Sequence, residues 1–140
     1  MRLLWGQETI IAEYVGETFP VVEQRGGLRF RHGVGIVDRD GKMVGAVVIS
    51  EFRGHDGILN IFLERPVLTP RMLREMFGFV FRRLLMKRVT AHCQKKDRRA
   101  RKLVEGIGFR FEGTMRYGGE NGRDDLIVYG MTFDNCRWLA

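Results

Sequence analysis

The sequence predicts a mixed α/β domain with a mostly antiparallel sheet and helices on its faces. Three observations lead there: β-rich runs separated by glycine-containing turns in the first half, a proline-initiated amphipathic helix in the middle, and a strand–helix–hairpin pattern in the last third. No internal repeat, low-complexity tract or Ser/Pro-rich linker divides the 140 residues, so 1-140 reads as a single domain.

Taken in order, Ile10, Ile11, Tyr14 and Val15 recur at three- and four-residue spacing and predict a short helix over Gln7–Val15, ended by Gly16 and Pro20. The segment to Gly33 carries no clear period and is expected as loose helix or coil. Val34–Val37 is a short strand, Asp40-Gly41 a tight turn, Met43–Phe52 a second strand and Ile58–Leu63 a third, which together make a meander. Thr69-Pro70 opens a helix with a capping hydroxyl followed by proline at the first helical position. Leu73, Phe77, Val80 and Leu84 share one face of that helix, which is expected to run to Met86. Gly78 inside it costs about 1 kcal/mol relative to alanine, so close packing is expected there. Phe77, Phe79 and Phe81 cannot all face inward from one helix; one of them must cover an edge, a groove or a partner. Arg88–Gln94 alternates as a strand, and Asp97–Ile107 is a second helix stopped by Gly108. Phe109–Tyr117 and Asp125–Thr132 form a final hairpin.

Composition excludes several classes. With 44% hydrophobic and 29% charged residues the chain is an ordinary globule, and its apolar runs of six residues (Val44–Ile49, Met76–Phe81) fall far short of a membrane span. Leu3, Leu4 and Trp5 are too few for a signal-peptide core, and two cysteines cannot form a disulfide framework, so a reduced, cytoplasmic setting is expected. The net charge of +7 is local: Arg82 to Lys102 holds ten bases against Asp97 alone. Such a patch suggests an anionic partner, or else the solvated face of an amphipathic helix.

Familiar catalytic motifs are missing. His32, His55, His92, Cys93 and Cys136 lack metal-ligand spacing, and His92 and Cys93 point to opposite faces of one strand. Ser50, the one serine, lies in a strand without a nucleophile-elbow pattern. Gly33-x-Gly35 fails as a dinucleotide fingerprint because Asp38 takes the third glycine position and a strand follows. No P-loop occurs.

The informative stretch is Arg88 to Met131. Val89-Thr90-Ala91-His92 is followed by Asp97-x-x-Ala100-x-x-Leu103-Val104-Glu105-x-x-Gly108-Phe109, then by Glu112-Gly113-x-x-Arg116, then by Asp125-x-x-x-Tyr129-Gly130-Met131. This pattern resembles the GNAT family of acyl-CoA-dependent N-acyltransferases, in particular the branch that acetylates ribosomal-protein N-termini and assorted small amines. The element order matches from Val34 to Thr132. The resemblance implies a splayed sheet in which Ile58–Leu63 and Arg88–Gln94 form the two walls of a V that receives acetyl-CoA or another short acyl-CoA. It implies direct transfer to a primary amine, on a small molecule or a protein N-terminus, without a covalent enzyme intermediate.

On that resemblance, the backbone amides of Ile61, Phe62 and Leu63 would polarise the thioester carbonyl. Thr69, Pro70 and Arg71, with Arg65, would hold the diphosphate at a helix N-terminus, where free amides and the helix dipole favour anions. Asp97, Arg98 and Arg101 would stand near the cofactor's phosphates. Asn60 could position a water, Glu64 could take the amine's proton, and Tyr129 could return one to the thiolate.

The sequence departs from the family pattern in three places. Residues 65–71 contain no glycine where the family has a glycine-rich loop, and Pro66 and Pro70 remove two amide donors. Asp97 stands where an asparagine is usual, and a carboxylate there repels phosphates unless Lys96 and Arg98 neutralise it. Val104 occupies the position where many relatives carry a tyrosine acid. The glycine-free loop leaves a second reading open, a GNAT-shaped binding module that docks an acidic protein or a nucleic acid through the basic patch.

Overall fold

The computed structural model describes residues 1–24 and 27–139. In chain order the elements are β1 (Arg2–Leu4), α1 (Glu8–Thr18), α2 (Pro20–Gln24), β2 (Phe30–Val37), β3 (Met43–Ser50), β4 (Ile58–Leu63), α3 (Pro70–Gly78), β5 (Arg88–Gln94), α4 (Arg98–Ile107), β6 (Arg110–Met115) and β7 (Leu126–Thr132). The seven strands form one sheet in the order β1-β2-β3-β4-β5-β7-β6. All neighbours are antiparallel except β4 and β5, which run parallel and register at a single pair, Ile58 with Thr90.

Side chains alternate across the strands, so the two faces bury different sets. On one face Ile11 and Val15 of α1 and Val22 of α2 pack on Ala46, Val48 and Phe62. On the other, Leu73, Phe77 and Phe81 from the α3 region and Val104 and Ile107 of α4 cover Val47, Ile49, Leu59, Val89 and Ile127.

The structure corrects the sequence expectations at several points. The segment expected as loose helix or coil before Gly33 contains α2 and the first residues of β2, and Pro20 opens α2 as well as closing the run before it. Residues Arg2–Leu4, which carry no strand signal beyond their apolar pair, form an edge strand against β2. The middle helix does not continue regularly to Met86. Its α-helical part ends at Gly78 and a π-helical turn spans Phe79–Arg83. Gly78 has nothing near the space a Cβ would fill, so close packing does not explain it; it stands at the junction of the two helical forms.

The π turn resolves the crowding of three phenylalanines. Phe77 and Phe81 are both buried, with stacked rings 6.1 Å apart. Phe79 turns out of the core to cover the sheet edge, 4.8 Å from the Trp5 ring and 6.0 Å from His32. The predicted caps hold: Thr69 Oγ1 accepts from Met72 N at 3.2 Å, Asp97 Oδ1 accepts from Ala100 N at 3.1 Å, and Gly108 ends α4 at φ 121°.

Where β4 meets β5, charge does the joining. Asp56 is buried and accepts from Gly57 N (2.8 Å), Arg53 Nη2 (2.6 Å) and Thr90 Oγ1 (3.3 Å), with Arg88 Nε 3.5 Å away. Arg88 continues to Glu112 on β6 at 2.7 Å, lying across Gly130, where a Cβ would stand 2.6 Å from Arg88 Nη2. Burial pushes the Asp56 carboxyl toward protonation, but its hydrogen bonds from Arg53, Gly57 and Thr90 and the Arg88 charge outweigh that and hold its pKa below the usual carboxylate range. A depressed carboxylate pKa adds stability that is present above the unfolded value and lost as pH falls through the folded one. Asp56→Asn should therefore lower stability by about 2 kcal/mol at pH 7. In denaturant titrations the gap between wild type and variant should narrow as pH drops below about 4.

Candidate functional site

Parallel strands joined at one pair must either zip together or separate, and β4 and β5 separate. Between them lies a cleft of about 1020 Å³, walled by Ile58–Leu63 on one side and Ala91–Gln94 on the other. Asp97, Ala100, Leu103 and Val104 of α4 close one flank, while Phe19, Val21, Leu28 and Arg29 approach from the α1–α2 side. Ser50, Glu51 and Glu120 complete the polar lining.

The β3–β4 register fixes which amides of β4 face the opening. Glu64 N donates to Val44 O at 3.0 Å, and the pairs Phe62–Ala46 and Asn60–Val48 share that register. In an antiparallel ladder the hydrogen-bonded residues alternate, so the amides of residues 60, 62 and 64 point to β3 and those of Ile61 and Leu63 point to the side where β5 has departed. Phe62 therefore offers its ring to the core on the α1 face, and its amide belongs to the sheet.

Asn60 lines the cleft with its amide orientation fixed. Its Nδ2 lies 2.8 Å from Ser50 Oγ, 3.0 Å from Ile58 O and 3.4 Å from Val48 O, so two N–H groups meet three acceptors and Oδ1 is left as the acceptor. Glu64 does not line the cleft; it is exposed and accepts from the Tyr14 hydroxyl at 2.6 Å. Burial, reinforced by that bond and the Glu64 charge, raises the Tyr14 pKa well above the usual phenol value. Tyr129 is fully buried and also lies outside the lining. Its hydroxyl donates to Glu105 Oε2 at 2.6 Å and accepts from Arg101 Nε at 3.1 Å. Burial raises its pKa, partly offset by Arg101.

The anion-binding candidates fall into two groups. Arg65 and Arg71 are exposed and, among the described residues, engage no hydrogen bond or ion pair; Thr69 already caps α3. At the other helix, Arg101 is tied to Tyr129 and to Lys95 O (3.2 Å), whereas Arg98 is exposed. Asp97 lines the cleft, and its Oδ1 caps α4. Lys96 pairs with Asp124 at 3.0 Å and so is not directed to Asp97. Val104, at the position matching the family's tyrosine, does face the cleft, but its apolar side chain cannot donate a proton.

Two acidic lining residues escape a reading of the sequence alone. Glu51 follows a strand that reads as continuing through it, and Glu120 sits in a hairpin loop whose approach to β5 depends on Glu120 N donating to Gln94 Oε1 at 3.2 Å. Among the described residues no cluster of three metal-ligating side chains exists, and no helix is long and apolar enough to cross a membrane.

No family model matches the sequence, and none of the curated proteins matches it. Solved structures do. The chain is similar to a mutant spermidine N-acetyltransferase from Vibrio cholerae, with a TM-score of 0.74 and 13% identity over 99% of this chain and 98% of that one. It is similar to a ribosomal-protein-S5-alanine acetyltransferase from Vibrio fischeri (TM-score 0.64, 18% identity, 91% of this chain and 73% of that one). A GNAT-family acetyltransferase from Bacillus anthracis gives a TM-score of 0.61 at 16% identity, over 79% and 69% of the two chains. Of a GCN5-related N-acetyltransferase from Brucella melitensis, to which it is also similar, the chain spans 59% of the length. The molecule has the GNAT fold, as the order of its elements predicts.

Cys93 reports on the cleft because it stands in the β5 wall, 4% exposed. Burial, reinforced by Asp97, pushes its thiol pKa up to about 11. Alkylation of Cys93 by iodoacetamide, followed by peptide mass spectrometry, should be slow at pH 8 and should accelerate toward pH 11.

Proposed function

We propose that the protein is an N-acyltransferase that moves a short acyl group, acetyl in the simplest case, from acyl-CoA to a primary amine. The observation that carries this reading is the open edge of β4, where the Ile61 and Leu63 amides face the cleft without a partner strand. Unpaired amides beside a cleft are suited to an oxygen that gains negative charge during acyl transfer. The solved acetyltransferases of the same fold support the same reaction class.

The residues fit an acyl-CoA at the cleft and fit it less well at the phosphates. Ile61 and Leu63 donate to the thioester oxygen, and Phe62 serves as packing behind them. Arg65 and Arg71, free of partners, supply the charge that a glycine loop would otherwise complement with amides. The Pro70 N-terminus of α3 adds its dipole. In the transfer an N–C bond forms and a C–S bond breaks; the amine gives up a proton and the departing thiolate gains one. Asn60 Oδ1 accepts from an N–H of the attacking amine and so positions it. Glu64 and Tyr129, both outside the lining and both hydrogen-bonded elsewhere, are assigned no part in the proton transfers.

One observation favours the binding-module reading, the absence of glycine between residues 65 and 71. Arg98, Arg99 and Lys102 on the exposed face of α4 would then carry the contact. Calorimetry separates the two. Acetyl-CoA should bind saturably, and Arg71→Ala should weaken it about fivefold, the value of one exposed charge contact near 1 kcal/mol. Binding of a nucleic acid or acidic peptide with no heat from acetyl-CoA would replace the enzyme with the module.

Asp97 offers a second test. Asparagine caps helices as well as aspartate does, so Asp97→Asn should keep the melting temperature and tighten acetyl-CoA binding by removing a negative charge. Asp97→Ala should cost about 1 kcal/mol of stability.

A further inference from the structure

The end of the sheet opposite the cleft carries a residue that its own backbone disfavours. β4 and β5 meet at Ile58 and Thr90, near their starts, and part toward residues 63 and 94. Leu85 precedes β5 and Phe133 follows the antiparallel β7, so both stand at the closed end. The π turn stops there, with Leu84 N donating to Phe79 O at 2.9 Å and Met86 N donating to Val80 O at 3.2 Å. Between them Leu85 holds a left-handed backbone at φ 57°. Helices that close this way usually have glycine at that position, because a Cβ is strained there. The leucine accepts the strain and is not buried by it: it is 69% exposed.

Its neighbours add a second apolar tip and a set of cations. Lys87 N donates to His55 O at 2.8 Å, and Phe133 N donates to Lys87 O at 3.1 Å. Lys87 Nζ stands 5.0 Å from the centre of the Phe133 ring, and Phe133 is 49% exposed. These contacts bring three segments of chain together. Residues 52–55, 82–87 and 133–137 present exposed Arg53, Arg82, Arg83, Lys87 and Arg137 against the single acid Asp134. Glu51, next to the first segment, lines the cleft instead. Arg83 engages no hydrogen bond or ion pair among the described residues.

Each class of anionic partner makes a different demand on such a surface. A nucleic acid meets the cations with its phosphates, but buries a leucine only by unstacking and kinking the duplex. A peptide helix or strand needs a groove or an open edge, whereas Leu85 and Phe133 sit on loop tips and neither lines the cleft. A bilayer uses both features at once. Aliphatic and aromatic tips enter the boundary between headgroups and acyl chains, and the flanking cations meet anionic headgroups. The Lys87 ammonium beside the Phe133 ring suits that boundary, since a lysine stem lies along apolar matter while its charge stays wet. We propose that this end of the sheet is a peripheral docking surface for an anionic phospholipid bilayer. Leu85 and Phe133 insert, and Arg83 and Lys87 contact the headgroups. In that pose the cleft opens away from the bilayer, so the proposal is independent of the transferase reading.

The full chain is sedimented with unilamellar vesicles of phosphatidylcholine alone and of equimolar phosphatidylcholine and phosphatidylglycerol. It should pellet with the anionic vesicles, stay in solution with the neutral ones, and dissociate as salt is raised. Leu85→Gly should weaken anionic-vesicle binding about tenfold while raising the melting temperature, because it removes both the inserted side chain and the backbone strain. Leu85→Phe, which keeps an apolar tip, should retain the binding without the gain in melting temperature. Arg83→Gln should weaken binding about fivefold. A leucine that only ends the helix would give the higher melting temperature in Leu85→Gly with vesicle binding unchanged, and that result overturns the proposal. A wild-type chain that fails to pellet with anionic vesicles at low salt overturns it as well. Retention of duplex DNA or polyglutamate by a chain that ignores vesicles would assign the surface to that polymer instead.

Discussion

The site depends on one contact between two strands. β4 and β5 run parallel, yet they register only at Ile58 and Thr90, and beyond that pair the sheet opens. Parallel neighbours usually continue pairing because each further residue adds a ladder hydrogen bond. Here the junction is held by side chains: Asp56 binds the Gly57 amide, Thr90 and two guanidiniums, and Arg88 carries the link across β7 to Glu112. A strong junction at one end permits a wide gap at the other. The cleft, its two walls and the exposed amides all follow from where that pairing stops.

Much of the architecture was legible in the sequence because its signals were local. Thr69-Pro70, Asp97 and Gly108 mark helix ends through their own hydrogen bonds or backbone preferences, and the structure places them at those ends. The alternation of Val89, Ala91 and Cys93 likewise gave a strand buried on one face. The failures were non-local. β1 is three residues long and exists because β2 supplies a partner, and the π turn exists because Phe79 finds Trp5 and His32 outside the helix's own core face. No periodicity within either segment could have announced these partners.

The site was less legible than the fold. The walls of the cleft were readable as two strands, and Val104 falls in its lining. The division of labour along β4 was not, because which amides face the gap is set by register with β3. Glu64 and Tyr129 have the right chemistry for proton transfer, but the fold gives their polar atoms to Tyr14, Glu105 and Arg101. Glu51 shows the reverse case, an unremarkable residue in the sequence that the end of β3 delivers to the cleft unengaged.

The π-helical turn at Phe79–Arg83 also bears on how the first residues of the chain are kept in place. One surplus residue in that turn lets a single aromatic ring leave the interior and act as a latch over the outermost strand, which is too short to hold itself. Deleting that residue would restore a regular helix and swing the latch away. The opening strand would then be free to peel, although nothing in its own sequence had changed.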